Sequence, residues 1–513
     1  MREQTPPPHT LQDGSRRRFL SRSALLAAGG VTAPIAATAL ISSNPSSTHA
    51  FDEQQEAPHP PPPPVTRLLA DWVVHCSPDS VPADAKKEAL RSIVNWLGVA
   101  IGGSSEDPVR IALATLLPLS CSNGVAVFGR AEALTMPWAA LVNGISSHVL
   151  DFDDTDLRTI IHPAGPVAAA LFAMCQTYPV NGAAFLHAFI LGVEVECRLG
   201  RAIYPSHYDM GWHITGTCGA FGAAAACARI LNLNTHQTQM ALGIAATQAS
   251  GLKIMFGSMC KSLNVGRAAE NGLLAALLAQ NGFTSSEEAI EGKEGYIYTT
   301  STQHNYAVLT DGLGEHYEIT HNTYKPFACG IVIHPAIDAA LQLRAAYHPP
   351  PSEVRSITIR ANPLVLQLTG KQEPHSGLEG KFSIYHSVAV ALVRGYAGPA
   401  EYTDSAVSDP VVVALRNKIV VRTDPQVRAD EVFMTLTTTD GRTFERHVEH
   451  AVGSLERPLT NAELDEKYRQ LTQTILPKEQ SERLLAMAWQ LESSPDVAAL
   501  ARLGARQGES KHG

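Results

Sequence analysis

Four short stretches of the chain hold the side chains able to do acid–base or anion chemistry. The first is His148-Val149-Leu150-Asp151-Phe152-Asp153-Asp154-Thr155, with His162-Pro163 just beyond. Three carboxylates in four residues at the end of an apolar helix repel one another, so something must compensate. A metal held by His148, Asp151, Asp153 and His162 is one solution. Backbone donors with a nearby cation are another, and an exposed acidic turn is the plainest reading.

The second stretch, Met210-Gly211-Trp212-His213-Ile214-Thr215-Gly216-Thr217, leads straight into an Ala-rich helix. A helix N-terminus offers unpaired N–H groups and partial positive charge, which suit a carboxylate. His213 belongs at that mouth, as an anion-binding residue or simply as a cap. The third is Gly257-Ser258-Met259-Cys260-Lys261-Ser262-Leu263. Lysine is rarely buried without a partner, so Lys261 either holds a carboxylate in a cleft or reaches back to solvent. The fourth is Tyr324-Lys325-Pro326-Phe327-Ala328-Cys329-Gly330 with His334-Pro335. It falls at a change of texture that reads as a domain boundary, a common place for a ligand cleft and equally for an ordinary linker. A Gly-rich phosphate loop after a strand, an HExxH pair and a Gly-x-Ser-x-Gly elbow are all absent from the sequence.

The elements that must position these residues are mostly helical. From Thr66 to about Asn281 the apolar spacing is that of helices. One starts near Val81-Pro82 and ends at Gly102-Gly103, and one opens at Met136-Pro137. Others are read over 182–200, 217–231 and 268–280. Beyond about Thr320, Val354–Arg360 alternates with period two, and Ile419–Arg422, Val432–Leu436 and Thr443–Val448 read as further strands, with Asp440-Gly441 as a hairpin turn. Ile337–Ala346 and Phe382–Leu392 read as helices between them. The expectation is a mostly α fold. Residues 66–320 with 455–505 form a large helical domain, and 321–454 form a smaller α+β lid.

The 513 residues, 45% hydrophobic, are ample for one large core or two smaller ones. A net charge of −9 with no basic run argues against a nucleic-acid partner. The charged fraction of 17% sits below the usual ~25% and points to much buried helix surface or an oligomer interface. Residues 1–50 differ in kind. Ser15-Arg16-Arg17-Arg18-Phe19-Leu20 before a modest Ala/Gly/Leu stretch resembles a twin-arginine signal peptide, implying passage through the twin-arginine translocon to a periplasmic or secreted destination. Residues 51–65, with Pro60–Pro64, read as an extended linker. The eight cysteines include no CxxC pair and most lie in apolar Ala/Gly stretches, so no disulfide is expected.

Together the polar stretches resemble the MmgE/PrpD family. The matching segments are Asp151-Phe152-Asp153-Asp154-Thr155, Gly211-Trp212-His213 with Thr215-Gly216-Thr217, Ala245–Leu252, Gly266-Arg267-Ala268-Ala269 with Gly272-Leu273, Gly282-Phe283-Thr284, and Lys325-Pro326-Phe327-Ala328-Cys329. They occur in the family's order over roughly residues 66–500. The family includes 2-methylcitrate dehydratase, cis-aconitate decarboxylase and iminodisuccinate epimerase. The resemblance implies a helical domain and a lid with the site between them, a homodimer, a small polycarboxylate substrate, and neither metal nor cofactor. It also implies site positions at Asp151, Thr155, His162, His213, Lys261 and Lys325, with Thr215 beside them. Two departures concern the substrate. Asn264 stands where the family often has His, and His386 stands where the decarboxylase has Tyr, with Tyr385 adjacent as a substitute.

The family's reactions pass through a carbanion- or enolate-like state next to a carboxylate, which fixed cations in a dry cleft stabilise. Lys261 and Lys325 are the candidates for that role. His213 anchors a second carboxylate, His162 moves the proton, and Asp151 fixes its ring or the neighbouring loop. The expected function is that of a dehydratase-type or decarboxylase-type lyase. An epimerase, or an exported binding protein without turnover, is the alternative.

Overall fold

The computed structural model describes residues 62–120 and 124–507. The segment expected to be an export signal and most of the proline-rich stretch lie outside the described residues, as does Cys121.

The first part is a bundle of long helices, Ala83–Gly103, Met136–Val149, Ala164–Met174, Gly182–Ile203, Ile214–Ile230, Thr235–Gln248 and Cys260–Gln280. Its floor is aromatic, with Trp96 and Phe172 stacked at 5.1 Å and Phe128 edge-on to both. The Cys260–Gln280 helix lies against both the Met136–Val149 and the Ile214–Ile230 helices. Two glycines make that approach possible. A Cβ at Gly266 would stand 2.4 Å from the Leu141 carbonyl oxygen, and one at Gly272 2.5 Å from that of Ala220. Close packing leaves no room for either. The helix begins eight residues before Ala268, where the spacing places its start. Ser262, Asn264 and Gly266 lower its intrinsic helicity, and packing against the neighbouring helices overrides them. Lys261 therefore lies in a helical first turn.

The second part contains a four-stranded sheet in the order Ile419–Thr423, Val354–Ala361, Val432–Thr438, Thr443–Val448. The first pair is parallel and the others antiparallel. Ile357, Ile359, Met434 and Leu436 pack with Ile337, Ala340 and Val388, from the His334–Tyr347 and Ile384–Arg394 helices, in a second apolar core. The tail, Asn461–Thr472, Lys478–Trp489 and Val497–Leu503, adds Tyr468, Leu484, Leu485 and Leu500 to the first core.

One small feature matters most for the site. Asp154–Asp156 pairs antiparallel with Asn322–Tyr324, placing Asp154 opposite Tyr324 and Thr155 opposite Thr323. The acidic stretch and the Lys325 stretch are thereby stitched together. The seven described cysteines are unpaired. Among the described residues no helix is long and apolar enough to cross a membrane.

Candidate active site

The Met136–Val149 helix ends at Leu150, and Asp151 follows in the left-handed region at φ 52°, a conformation Asp tolerates better than most residues. Its carboxylate is the hub of the site. Oδ1 lies 2.6 Å from Lys325 Nζ and 2.9 Å from Lys261 Nζ, and Lys325 also donates to the Asp151 carbonyl at 3.2 Å. All three side chains are buried. Burial alone raises the Asp151 carboxyl, but the two lysines outweigh it and hold the group well below the usual carboxylate range. Burial lowers Lys261 against the pull of Asp151. With two ammonium groups and one carboxylate, the cluster keeps a net positive charge for an incoming anion. Phe256 and Phe382 flank Lys261, its Nζ lying 5.2 and 5.0 Å from their ring centres.

A third lysine stands behind the first two. Lys381 Nζ donates to the Leu150 carbonyl at 2.5 Å, and burial brings it down to about 8. Sequence reasoning missed it. A lone lysine beside Gly380 carries no periodic signal, and only the fold brings it to Leu150.

The histidines complete the wall. His162 Nδ1 lies 2.8 Å from the Asp154 carbonyl, with Thr155 Oγ1 at 3.2 Å and Asp153 Oδ1 at 3.4 Å. A carbonyl only accepts, so Nδ1 carries the proton and Nε2 keeps its lone pair. Thr215 Oγ1 accepts from the His162 backbone N–H at 3.1 Å and fixes the residue from behind. Asp153, rather than Asp151, is the carboxylate facing the His162 ring. It also contacts His148 Nδ1 at 2.6 Å. His213 sits at the N-cap of the Ile214–Ile230 helix, but its side chain makes no capping bond. Its Nδ1 instead meets Asn264 Nδ2 at 3.1 Å. The amide N–H donates, so the His213 proton resides on Nε2. Burial, with the charge of Lys261 nearby, keeps His148, His162 and His213 all well below the ordinary histidine range and therefore neutral.

Asp151, His162, His213, Lys261 and Lys325 line one cleft of about 380 Å³, closed on its apolar side by Phe256, Phe382 and Leu368. Thr155 and Thr215 stand one layer behind it through their contacts with His162. Tyr385 and His386 are brought elsewhere. Tyr385 Oη accepts from Gln372 at 3.4 Å, and His386 Nε2 donates to the Glu401 carbonyl at 2.8 Å beside the Tyr402 ring. Neither forms part of the cleft wall. Asn264, noted in the sequence only as a departure, is the residue that sets the His213 tautomer.

His148, Asp153 and His162 have donor atoms within 4.8 Å of one another, the spacing a metal requires. Their Nδ1 atoms are already committed, to Asp153 in one case and to a backbone carbonyl in the other. The Nε2 atoms keep their lone pairs, and a ring whose other N–H is held by a carboxylate or carbonyl is the arrangement that metal-binding histidines show. The trio is equipped to position protons, and its donor set also fits a metal.

Both parts of the chain match known proteins. Residues 67–309 match the MmgE/PrpD N-terminal domain and residues 327–493 the MmgE/PrpD C-terminal domain. The cis-aconitate decarboxylase-like protein oryM of Aspergillus oryzae is 27% identical over 470 residues, covering 86% of this chain and 97% of that protein. The cis-aconitate decarboxylase of Aspergillus terreus is 25% identical over 472 residues, covering 86% and 95%. The 2-methylcitrate dehydratase of Cupriavidus necator is 25% identical over 440 residues, covering 78% and 88%. With both domains matched in order over residues 67–309 and 327–493, the chain belongs to the MmgE/PrpD family.

Proposed function

We propose that the chain is a lyase for a small di- or tricarboxylic acid, of the cis-aconitate decarboxylase type, run by side chains without a cofactor. The observation that carries this reading is the pair Lys261 and Lys325 on one buried carboxylate, facing a cleft shared with two neutral histidines. Charge that develops on substrate oxygens meets fixed ammonium groups in a water-poor space, where they act far more strongly than in solvent. His213 Nε2–H holds a second carboxylate.

His162 is neutral in the free protein. A bound polycarboxylate favours its charged form, so its Nε2 takes up a proton from solvent as substrate binds. The bond from carbon to the departing carboxylate then breaks and CO₂ leaves. The electron pair left behind spreads towards the neighbouring carboxylate under Lys261 and Lys325, and the Nε2 proton closes the carbon.

Dehydration is the second reading, supported by the opposite tautomers of the two histidines. His162 Nε2 as base takes the α-proton, and His213 Nε2–H protonates the departing hydroxyl. Incubating the protein with cis-aconitate, citrate, 2-methylcitrate and iminodisuccinate in D₂O, followed by NMR, separates the readings. Loss of CO₂ supports decarboxylation and loss of water supports dehydration. Deuterium exchange with inversion alone points to an epimerase, and binding without any change points to a carboxylate-binding protein. The family resemblance also supports a homodimer, and exposed Met210, Leu252, Ile254 and Met259 offer an apolar face for it. Light scattering of the purified protein tests that assignment.

A further inference from the structure

We propose that the substrate carries an uncharged apolar substituent, and that this group occupies a second chamber that opens from the cation cleft. The inference rests on the polycarboxylate reading above and specifies the class of acid. The chamber is open to solvent on one side and shares Ile160, Ile331 and Val332 with the cleft. Two further walls run from one cavity into the other. Tyr208 lines the cleft and Tyr204 the chamber, with ring centres 6.0 Å apart. Leu368 and Leu364, one turn apart on the Pro363–Thr369 helix, are divided in the same way. The two spaces therefore lie end to end along common walls.

Their chemistry is opposite. The cleft ends on Lys261 and Lys325. The chamber is walled by Leu157, Val452 and Leu455, and its rim carries Asp430 and Glu456, which lie 2.7 and 3.6 Å from His450. The one histidine on its wall, His334, is buried, with neither ring nitrogen hydrogen-bonded, and burial keeps it neutral. Carboxylates at the rim and an uncharged wall disfavour a further anionic arm there, whereas an alkyl chain gains by leaving water. Ile160 holds φ at 62°, a conformation β-branched residues rarely adopt and that persists only where the surroundings impose it.

Titration calorimetry on the intact protein, with 2-methylcitrate and its homologue bearing butyl for methyl, tests this directly. Three added methylenes entering an apolar chamber predict binding tighter by about tenfold or more. Equal or weaker binding of the butyl acid overturns the proposal. Leu455→Trp, at a half-exposed position, and Leu364→Trp fill the chamber, and in either the butyl-to-methyl affinity ratio should fall towards one. A ratio unchanged in both folded variants also overturns it. Butyl preference without turnover of any acid would remove the proposed lyase function and leave the chamber assignment standing. Turnover of cis-aconitate with no butyl preference would do the reverse.

Discussion

Lys325 Nζ lies 2.6 Å from Asp151 Oδ1 although 174 residues separate them in the chain. The contact is buried on both sides, and with Lys261 it holds the Asp151 carboxyl well below its ordinary range. Lys325→Met leaves Asp151 with only Lys261. Breaking a buried pair in this way costs about 3 kcal/mol, and thermal unfolding should show it. Asp151→Asn in the same chain should restore much of that stability without restoring turnover, because the cation is still missing. Lys261→Ala leaves the Lys325 pair intact. It should keep the fold and lower turnover by about a thousandfold, the scale of losing one transition-state donor. Near-normal activity in Lys261→Ala would remove the lysine pair from the mechanism.

The pH dependence follows from two groups. Burial holds His162 well below the ordinary histidine range, so at neutral pH the free protein lacks the proton that decarboxylation consumes. Raising pH makes that proton scarcer, and kcat/KM for decarboxylation should fall as pH rises through the neutral range. Lys381, charged only below about 8, adds a further decline above that value, which Lys381→Arg should push to higher pH. A profile flat between pH 6.5 and 8 would assign the proton to another donor.

Asn264→Leu removes the donor that fixes the His213 Nδ1 lone pair. Histidine ¹⁵N spectra should then show His213 losing its Nε2–H preference, and kcat/KM should fall about tenfold or more through weaker anchoring of the second carboxylate. An unchanged tautomer would mean that the helix N-terminus, not the amide, sets the ring.

Tyr385→Phe should alter KM less than about twofold, because its hydroxyl meets Gln372 at 3.4 Å and not the cleft. A large rise in KM would bring Tyr385 back into substrate binding through a movement of the lid.

Gly266→Ala tests the positioning of the site by the bundle. The added methyl meets the Leu141 carbonyl, and overpacking of this kind costs about 1–3 kcal/mol. The shifted helix carries Lys261 and Asn264, so activity should fall further than stability does. Equal losses would mean that the helix re-seats without moving its first turn.

The sequence alone determined the helical character of the first part, the alternation of the Val354–Arg360 and Val432–Leu436 strands and the residue types in each polar stretch. These are local properties, written in periodicity and in unpaired charge. His213 could be placed at a helix mouth because Gly211 and the Ala-rich run define the helix on their own. What the tertiary structure decided is which groups meet. A three-residue strand pair, Asp154–Asp156 with Asn322–Tyr324, is too short to leave a periodic signal, yet it places Lys325 on Asp151. The exchange of Asp153 for Asp151 at the His162 ring depends on a left-handed turn at Asp151, which three neighbouring aspartates do not distinguish by type. Tyr385 and His386 show the same limit on a helix. Neighbouring residues there diverge by about 100°, so only the packed helix settles what each one faces. The Lys325 pair spans 174 residues and the contact that sets the His213 tautomer spans 51, and such contacts exist only once the chain has folded.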